Sequence, residues 1–274
     1  MVGSLAFVRD ALGFVGAACA RTLTALADLV LPAECAGCGA AAGPNGGVGD
    51  GGVGAGAGFG SGAAPGVCAE CARSLRGPPG ATRPTPAPEG LPPCFAGGVY
   101  AGPLRELILA YKERGRRDLA APLGDSLAVV VRTGAWVRVV APPLLVVPVP
   151  ATAAAARARR GDHMLSLARR AAVRLRREGW PVGVASPLRA LPKVDSAQLG
   201  RHARAAAARE AFVARPADIR ALRATVPTAS VVLLDDVVTT GATLAAVAGR
   251  LADEGIDVAF SATLAATQLR LHPA

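Results

Sequence analysis

Lysine is almost missing from this chain of 274 residues. Lys112 and Lys193 are the only two, so arginine carries nearly all of a net charge of +10. Aromatic residues make up 4%, and Tyr100, Tyr111, Trp136 and Trp180 are scattered. That distribution argues against a surface built to stack successive bases of a single strand. No apolar run approaches the ~20 residues that span a bilayer. His163 has no second histidine or carboxylate at ligand spacing, which argues against a metal site there. Half of the chain is apolar, but much of that is alanine, so a helix-leaning core of small residues is expected. The basicity suits a polyanion, either a pyrophosphate-bearing substrate or nucleic acid, and does not choose between them.

Residues 11–20 have the length of a signal-peptide core. Asp10 precedes them, however, only Arg9 is basic upstream, and the pattern continues beyond Arg21. Residues 1–30 therefore read as an N-terminal amphipathic helix of the mature protein, with a cytoplasmic location expected. Four of the six cysteines then form two Cys-x-x-Cys pairs, Cys35/Cys38 and Cys68/Cys71. Each pair puts two thiolates on one tight turn, and two such turns supply the four sulfurs of a structural Zn2+ site. A filled sulfur set leaves no open position for substrate, so its role would be folding or docking. The Gly/Ala-rich stretch from about residue 40 to 66 reads as an insert within this 31–75 region. Cys19 and Cys94 lack partners and read as ordinary buried thiols.

Seven prolines between residues 76 and 93 read as a stiff linker ahead of an α/β domain over 94–274. Within that domain, strands are expected over 95–100, 144–147, 230–235 and 258–264. Helices are expected over 104–114, 119–132, 163–177, 196–209 and 243–254. The strand–helix–strand order at the end of the chain implies a parallel sheet. After Pro148-Val149-Pro150 comes a small-residue loop with Arg157, Arg159 and Arg160. With Lys112 these are candidates for a pyrophosphate cradle, because guanidinium groups bind phosphate oxygens in pairs; a solvated basic surface is the competing reading.

The densest signal is the run Val231-Val232-Leu233-Leu234-Asp235-Asp236-Val237-Val238-Thr239-Thr240-Gly241-Ala242-Thr243. Its apolar residues do not alternate with polar ones, as in a strand buried on both faces. Asp235 and Asp236 fall at its carboxyl end, where open α/β sheets bind ligands, and could accept hydrogen bonds from a vicinal diol. Residues 237–243 can aim N–H groups and threonine hydroxyls at a phosphate before the next helix starts.

That run resembles the PRPP-binding motif of type I phosphoribosyltransferases. With the cysteine pairs, Tyr100 to Lys112, Val147 to Pro150, Arg160-Gly161 and Gln198 to Phe212, the layout resembles the ComF family, competence-associated proteins of that fold with an N-terminal zinc-knuckle region. The resemblance implies a type I phosphoribosyltransferase-like parallel sheet flanked by helices. It assigns the ribose to Asp235 and Asp236, and the 5-phosphate to Val237, Val238, Thr239, Thr240, Gly241, Ala242 and Thr243. It further implies PRPP with Mg2+ and a nitrogen acceptor as substrates. The alternative it carries is a non-catalytic DNA-uptake component acting with a helicase and single-stranded DNA. The chain departs from the family at Asp162 and His163, where an aromatic and an amide are usual, and at Ala207, where asparagine is.

Overall fold

The computed structural model describes residues 34–40, 66–159, 161–192 and 208–267. The helix expected over 1–30, with Cys19, lies outside the described residues, as do most of the Gly/Ala-rich insert, Arg160, Lys193 and nearly all of the helix expected over 196–209.

In chain order the first elements are α1 (Ala69–Ser74), β1 (Gly80–Thr82), β2 (Cys94–Ala96), α2 (Gly102–Lys112), α3 (Ala120–Val137), β3 (Leu144–Pro148), α4 (Ala153–Ala158) and α5 (His163–Arg177). They are followed by β4 (Val182–Val184), β5 (Leu188–Ala190), β6 (Phe212–Ala214), α6 (Pro216–Thr225), β7 (Ser230–Val238), α7 (Ala242–Ala252) and β8 (Val258–Ala266). Six strands form one sheet in the order β1-β2-β8-β7-β3-β4, with β5 and β6 paired separately. Every pair in the large sheet is parallel except β1 with β2. The protein is thus an α/β structure with a mostly parallel sheet flanked by helices. Among the described residues no helix is long and apolar enough to cross a membrane.

The unbroken apolar runs have a direct cause. Successive side chains of a strand point to opposite faces, and here both faces are covered. Leu144, Val146, Val232 and Leu234 enter a core with residues of α2, α3 and α5. Their neighbours Leu145, Val147, Val231 and Leu233 enter a second core with residues of α6 and α7. From β3 the chain crosses to β4 on one side, while from β7 it crosses to β8 on the other. The order reverses between β3 and β7, and at such a switch point a crevice opens beyond the carboxyl ends of the strands.

The strand expected over 95–100 is shorter, ending at Ala96, and the helix expected over 119–132 runs on to Val137; three further differences have a local cause. The proline-rich stretch contributes β1, an edge strand, which is where a chain poor in N–H donors can join a sheet. Residues 153–158 are helical, because four alanines follow Thr152, whose hydroxyl caps the Ala155 N–H at 3.2 Å. The third is β7, which runs to Val238, beyond the apolar run, since Val237 and Val238 still pair with Ala265 and Ala266.

Gly134 of α3 lies against an edge-to-face pair, Phe95 and Phe260, whose ring centroids are 5.7 Å apart. A Cβ there would stand 2.5 Å from Phe260 Cε2 and 3.0 Å from Phe95 Cδ2. Alanine gains about 1 kcal/mol in helix propensity, whereas overpacking a core costs about 1–3 kcal/mol. Both rings are buried, so the clash wins. Gly134→Ala is expected to lower the urea midpoint, with a net loss of about 1 kcal/mol and an unchanged m-value.

Candidate functional site

The pleat of β7 sends its two acids to different neighbours. Asp236 keeps the parity of Val232 and Leu234 and meets α2 and α5. Its Oδ2 lies 2.6 Å from Lys112 Nζ and 3.3 Å from His163 Nε2, and its side chain is 8% exposed. Burial by itself would raise the Asp236 carboxyl. The His163 hydrogen bond and the Lys112 ammonium outweigh it and hold the group at about 2. Asp235 instead lines a small hollow with residues 237–244, and its Oδ1 accepts the Asp236 N–H at 2.9 Å. Desolvation at the strand end, followed by the adjacent Asp236 charge, pushes the Asp235 carboxyl up to about 8.

Beyond Val238 the hollow is closed by Thr239, Thr240 and Gly241. Gly241 adopts φ 75° and is the N-cap of α7, with no side chain of its own to bond the helix start. A Cβ at Gly241 would come within 2.9 Å of Leu91, so glycine answers both the left-handed backbone and the close approach of the proline-rich segment. Thr240 Oγ1 accepts the Ala242 N–H at 3.3 Å. Thr239, Thr240, Ala242 and Thr243 are exposed. The arrangement is an open helix N-terminus edged by hydroxyls, which favours an anion.

A larger cavity of about 270 Å³ adjoins Lys112 and His163 and is also lined by Tyr111, Arg117, Arg159 and Asp162. Of the residues expected to cradle pyrophosphate, Lys112 lines the cavity and is paired with Asp236, and Arg159 borders the cavity while paired with Glu113 at 3.0 Å. Arg157 is exposed on α4, and Arg160 lies outside the described residues. His163, which the sequence marked as a departure from the family pattern and to which it gave no site role, stands between this cavity and Asp236. Its partner Asp236 is 73 positions away, so no local spacing could have shown it.

The second candidate site is the cysteine cluster. Cys68 is the N-cap of α1 and its Sγ accepts the Cys71 N–H at 3.4 Å. Cys35 Sγ accepts the N–H groups of Gly37 at 3.4 Å and Cys68 at 3.3 Å. All four sulfurs lie within 4.8 Å of one another, with Cys38 and Cys68 3.8 Å apart. Zinc–sulfur bonds of about 2.3 Å in a tetrahedron place sulfurs about 3.8 Å apart. Cys35, Cys38, Cys68 and Cys71 are therefore positioned to bind a metal, consistent with structural zinc. Burial opposes ionisation of Cys35, but the surrounding N–H groups prevail and lower its thiol to about 6. Burial and then the crowding sulfurs push Cys71 far up. The knuckle is part of the main core. Cys35, Cys71, Ala72 and Leu75 share it with Leu104, Leu107 and Ile108 of α2, and Arg116 reaches the Glu34 and Gly66 carbonyls, each at 3.3 Å.

Cys94, expected to be an ordinary buried thiol, is 4% exposed. Its sulfur donates to the Pro92 carbonyl at 3.1 Å and accepts from Ser261 Oγ at 3.0 Å.

No known family model matches the chain, and neither does any curated protein.

Two outcomes follow from this chemistry. A carboxyl raised on folding favours the folded state below its unfolded pKa near 4, and that contribution is lost as pH rises through the folded value. For Asp235 the window runs from about pH 4 to about 8. Asp235→Asn is therefore expected to stabilise the protein at pH 9 and to change little at pH 4, read from denaturation midpoints at the two pH values. Asp236 has the opposite sign, its contribution being present above about pH 4 and lost as pH falls toward about 2. For the cluster, elemental analysis is expected to find one zinc per chain. Stripping that zinc with a chelator, or Cys71→Ser, should lower Tm, and a metal-free wild type with unchanged Tm would remove the site.

Proposed function

We propose that the protein is a ComF-family, type I phosphoribosyltransferase-like protein. On this reading it binds PRPP with Mg2+ and transfers the 5-phosphoribosyl group to a nitrogen acceptor. The observation that carries the reading is the acid pair at the carboxyl end of a central strand, at the switch point of the sheet, followed at once by an open threonine–glycine turn and a helix N-terminus. A phosphate on that turn would leave the ribose lying over the strand end. There its hydroxyls could reach Asp235 on one side and Asp236 on the other. This differs from two free carboxylates gripping one diol, because Asp236 already holds two partners.

In the reaction the acceptor nitrogen forms a bond to C1 as the bond from C1 to the pyrophosphate oxygen breaks. Mg2+, brought with PRPP, would neutralise charge on the leaving group. Positive charge on the ring would be steadied by Asp236, which His163 and Lys112 keep ionised against the effect of burial. Arg159 and Arg157 lie on the segment after β3, next to β7 in the sheet, and Lys112 lies beside the acids. Among the described residues, Lys112 and Arg159 line the adjoining cavity together with Arg117, and they are the cations proposed to meet a departing pyrophosphate. The cysteine knuckle would serve folding, since its four sulfurs leave a bound metal no open position.

Calorimetric titration with PRPP and Mg2+ tests the reading. Binding is expected for the wild type. Replacing Asp235 and Asp236 together by Asn should weaken it at least tenfold, the loss of charge-assisted hydrogen bonds worth about 1.5–3 kcal/mol each. Absence of PRPP binding in the wild type would sink the enzymatic reading. Salt-steep binding of single-stranded DNA that survives the double substitution would turn the assignment toward a DNA-uptake component.

A further inference from the structure

The two partners of Asp236 use the same oxygen. Lys112 Nζ and His163 Nε2 both meet Oδ2, at 2.6 and 3.3 Å. The Asp236 Oδ1 atom takes no bond among the described residues, where the only fully buried side-chain polar atom without a partner is His163 Nδ1. Oδ2 is thus committed to two donors, and the Asp235 carboxyl is the remaining side-chain neighbour that interacts with Asp236. The clamp on Oδ2 is itself fixed from several directions. Lys112 ends α2 and His163 begins α5, and the Tyr111 hydroxyl ties the two helices by donating to the His163 carbonyl at 3.1 Å. The residue before His163 is anchored as well. Asp162 Oδ1 accepts the Leu165 N–H at 3.0 Å, and Asp162 Oδ2 accepts the Ala151 N–H at 3.4 Å.

We infer that His163 is a positioning residue for the phosphosugar site. With Lys112 it holds Oδ2 of Asp236 so that Oδ1 faces a sugar hydroxyl, and it does so as the tautomer with its proton on Nε2. The inference rests on the phosphosugar reading. The tautomer follows from the partner: an ionised carboxylate only accepts, so the nitrogen facing it must donate. Lys112 alone would fix charge without fixing orientation, because an ammonium on a flexible stem donates in many directions. A rigid imidazole supplies the missing direction, much as the acid of a catalytic triad orients its histidine.

Three substitutions separate positioning from packing. The amide nitrogen of glutamine reaches about as far as Nε2, that of asparagine only as far as Nδ1, and leucine donates nothing. In PRPP·Mg2+ titrations His163→Asn and His163→Leu are expected to bind roughly tenfold more weakly, the loss of one hydrogen bond to a charged group. His163→Gln is expected to stay within about threefold of wild type by the same reasoning. Nitrogen-15 NMR of the unmodified protein should show the His163 proton on Nε2, a readout that needs neither a variant nor a ligand. Three results would overturn the positioning role: wild-type affinity in the Asn and Leu variants, a loss in the Gln variant as large as in Leu, or an Nε2 that carries no proton. A wild type that takes up no PRPP is a different failure, since it removes the phosphosugar reading and the positioning role with it.

Discussion

The structure turns on one buried charge. Asp236 sits at the end of a strand covered on both faces, where an unpaired carboxylate would be costly. Its ion pair with Lys112 and hydrogen bond to His163 let it remain ionised there. Those partners are supplied by the two helices, α2 and α5, that meet above the carboxyl end of the sheet. The packing of both helices is therefore coupled to the electrostatics of the site. Asp235, one residue earlier, carries the consequence. It shares the strand end with a fixed negative neighbour, and its own ionisation is opposed. Adjacent carboxyls pushed in opposite directions are a common mark of functional sites.

The cysteine knuckle belongs to the same mechanical unit. It packs on Leu104, Leu107 and Ile108, the apolar face of α2. The last residue of that helix is Lys112. Gly37 permits the closure, since a Cβ there would lie 2.8 Å from Cys71 Sγ and 3.3 Å from Leu107 Cγ. A metal at the cluster would stiffen the support of the helix that delivers the lysine, at a distance from any chemistry. On the other side of the sheet the proline-rich segment brings Leu91 and Pro84 over Gly241. Both flanks of the strand end are thus held by segments that the sequence presents as peripheral.

Much of the fold was legible because its signals are local. The apolar runs at 144–147 and 231–234 require a sheet covered on both faces, and helices do cover it. The helix expected over 163–177 was found with those ends, since Asp162 marks its start. The proline-rich stretch and the alanine-rich stretch after Thr152 were read by composition, which did not show the three-residue strand in the first or the helix in the second. Proline tolerates an edge strand as well as a linker, and four alanines after a threonine cap form a helix rather than a loop. The large cavity could not be foreseen, because its walls come from α2, the turn after it, α4 and α5.

By itself the sequence determined the chemistry available: two neighbouring carboxyls, a threonine–glycine turn before a helix, and two Cys-x-x-Cys pairs at knuckle spacing. Each is a short pattern whose geometry is set by bonds and near neighbours. Tertiary structure alone decided how those groups are used. It divided the acids between the faces of the sheet, set Lys112 and His163 on one oxygen of Asp236, and placed the knuckle against α2. The reason is physical: the pairing of His163 with Asp236 joins residues 73 positions apart, and only the packing of two helices against a sheet can bring them within hydrogen-bond reach.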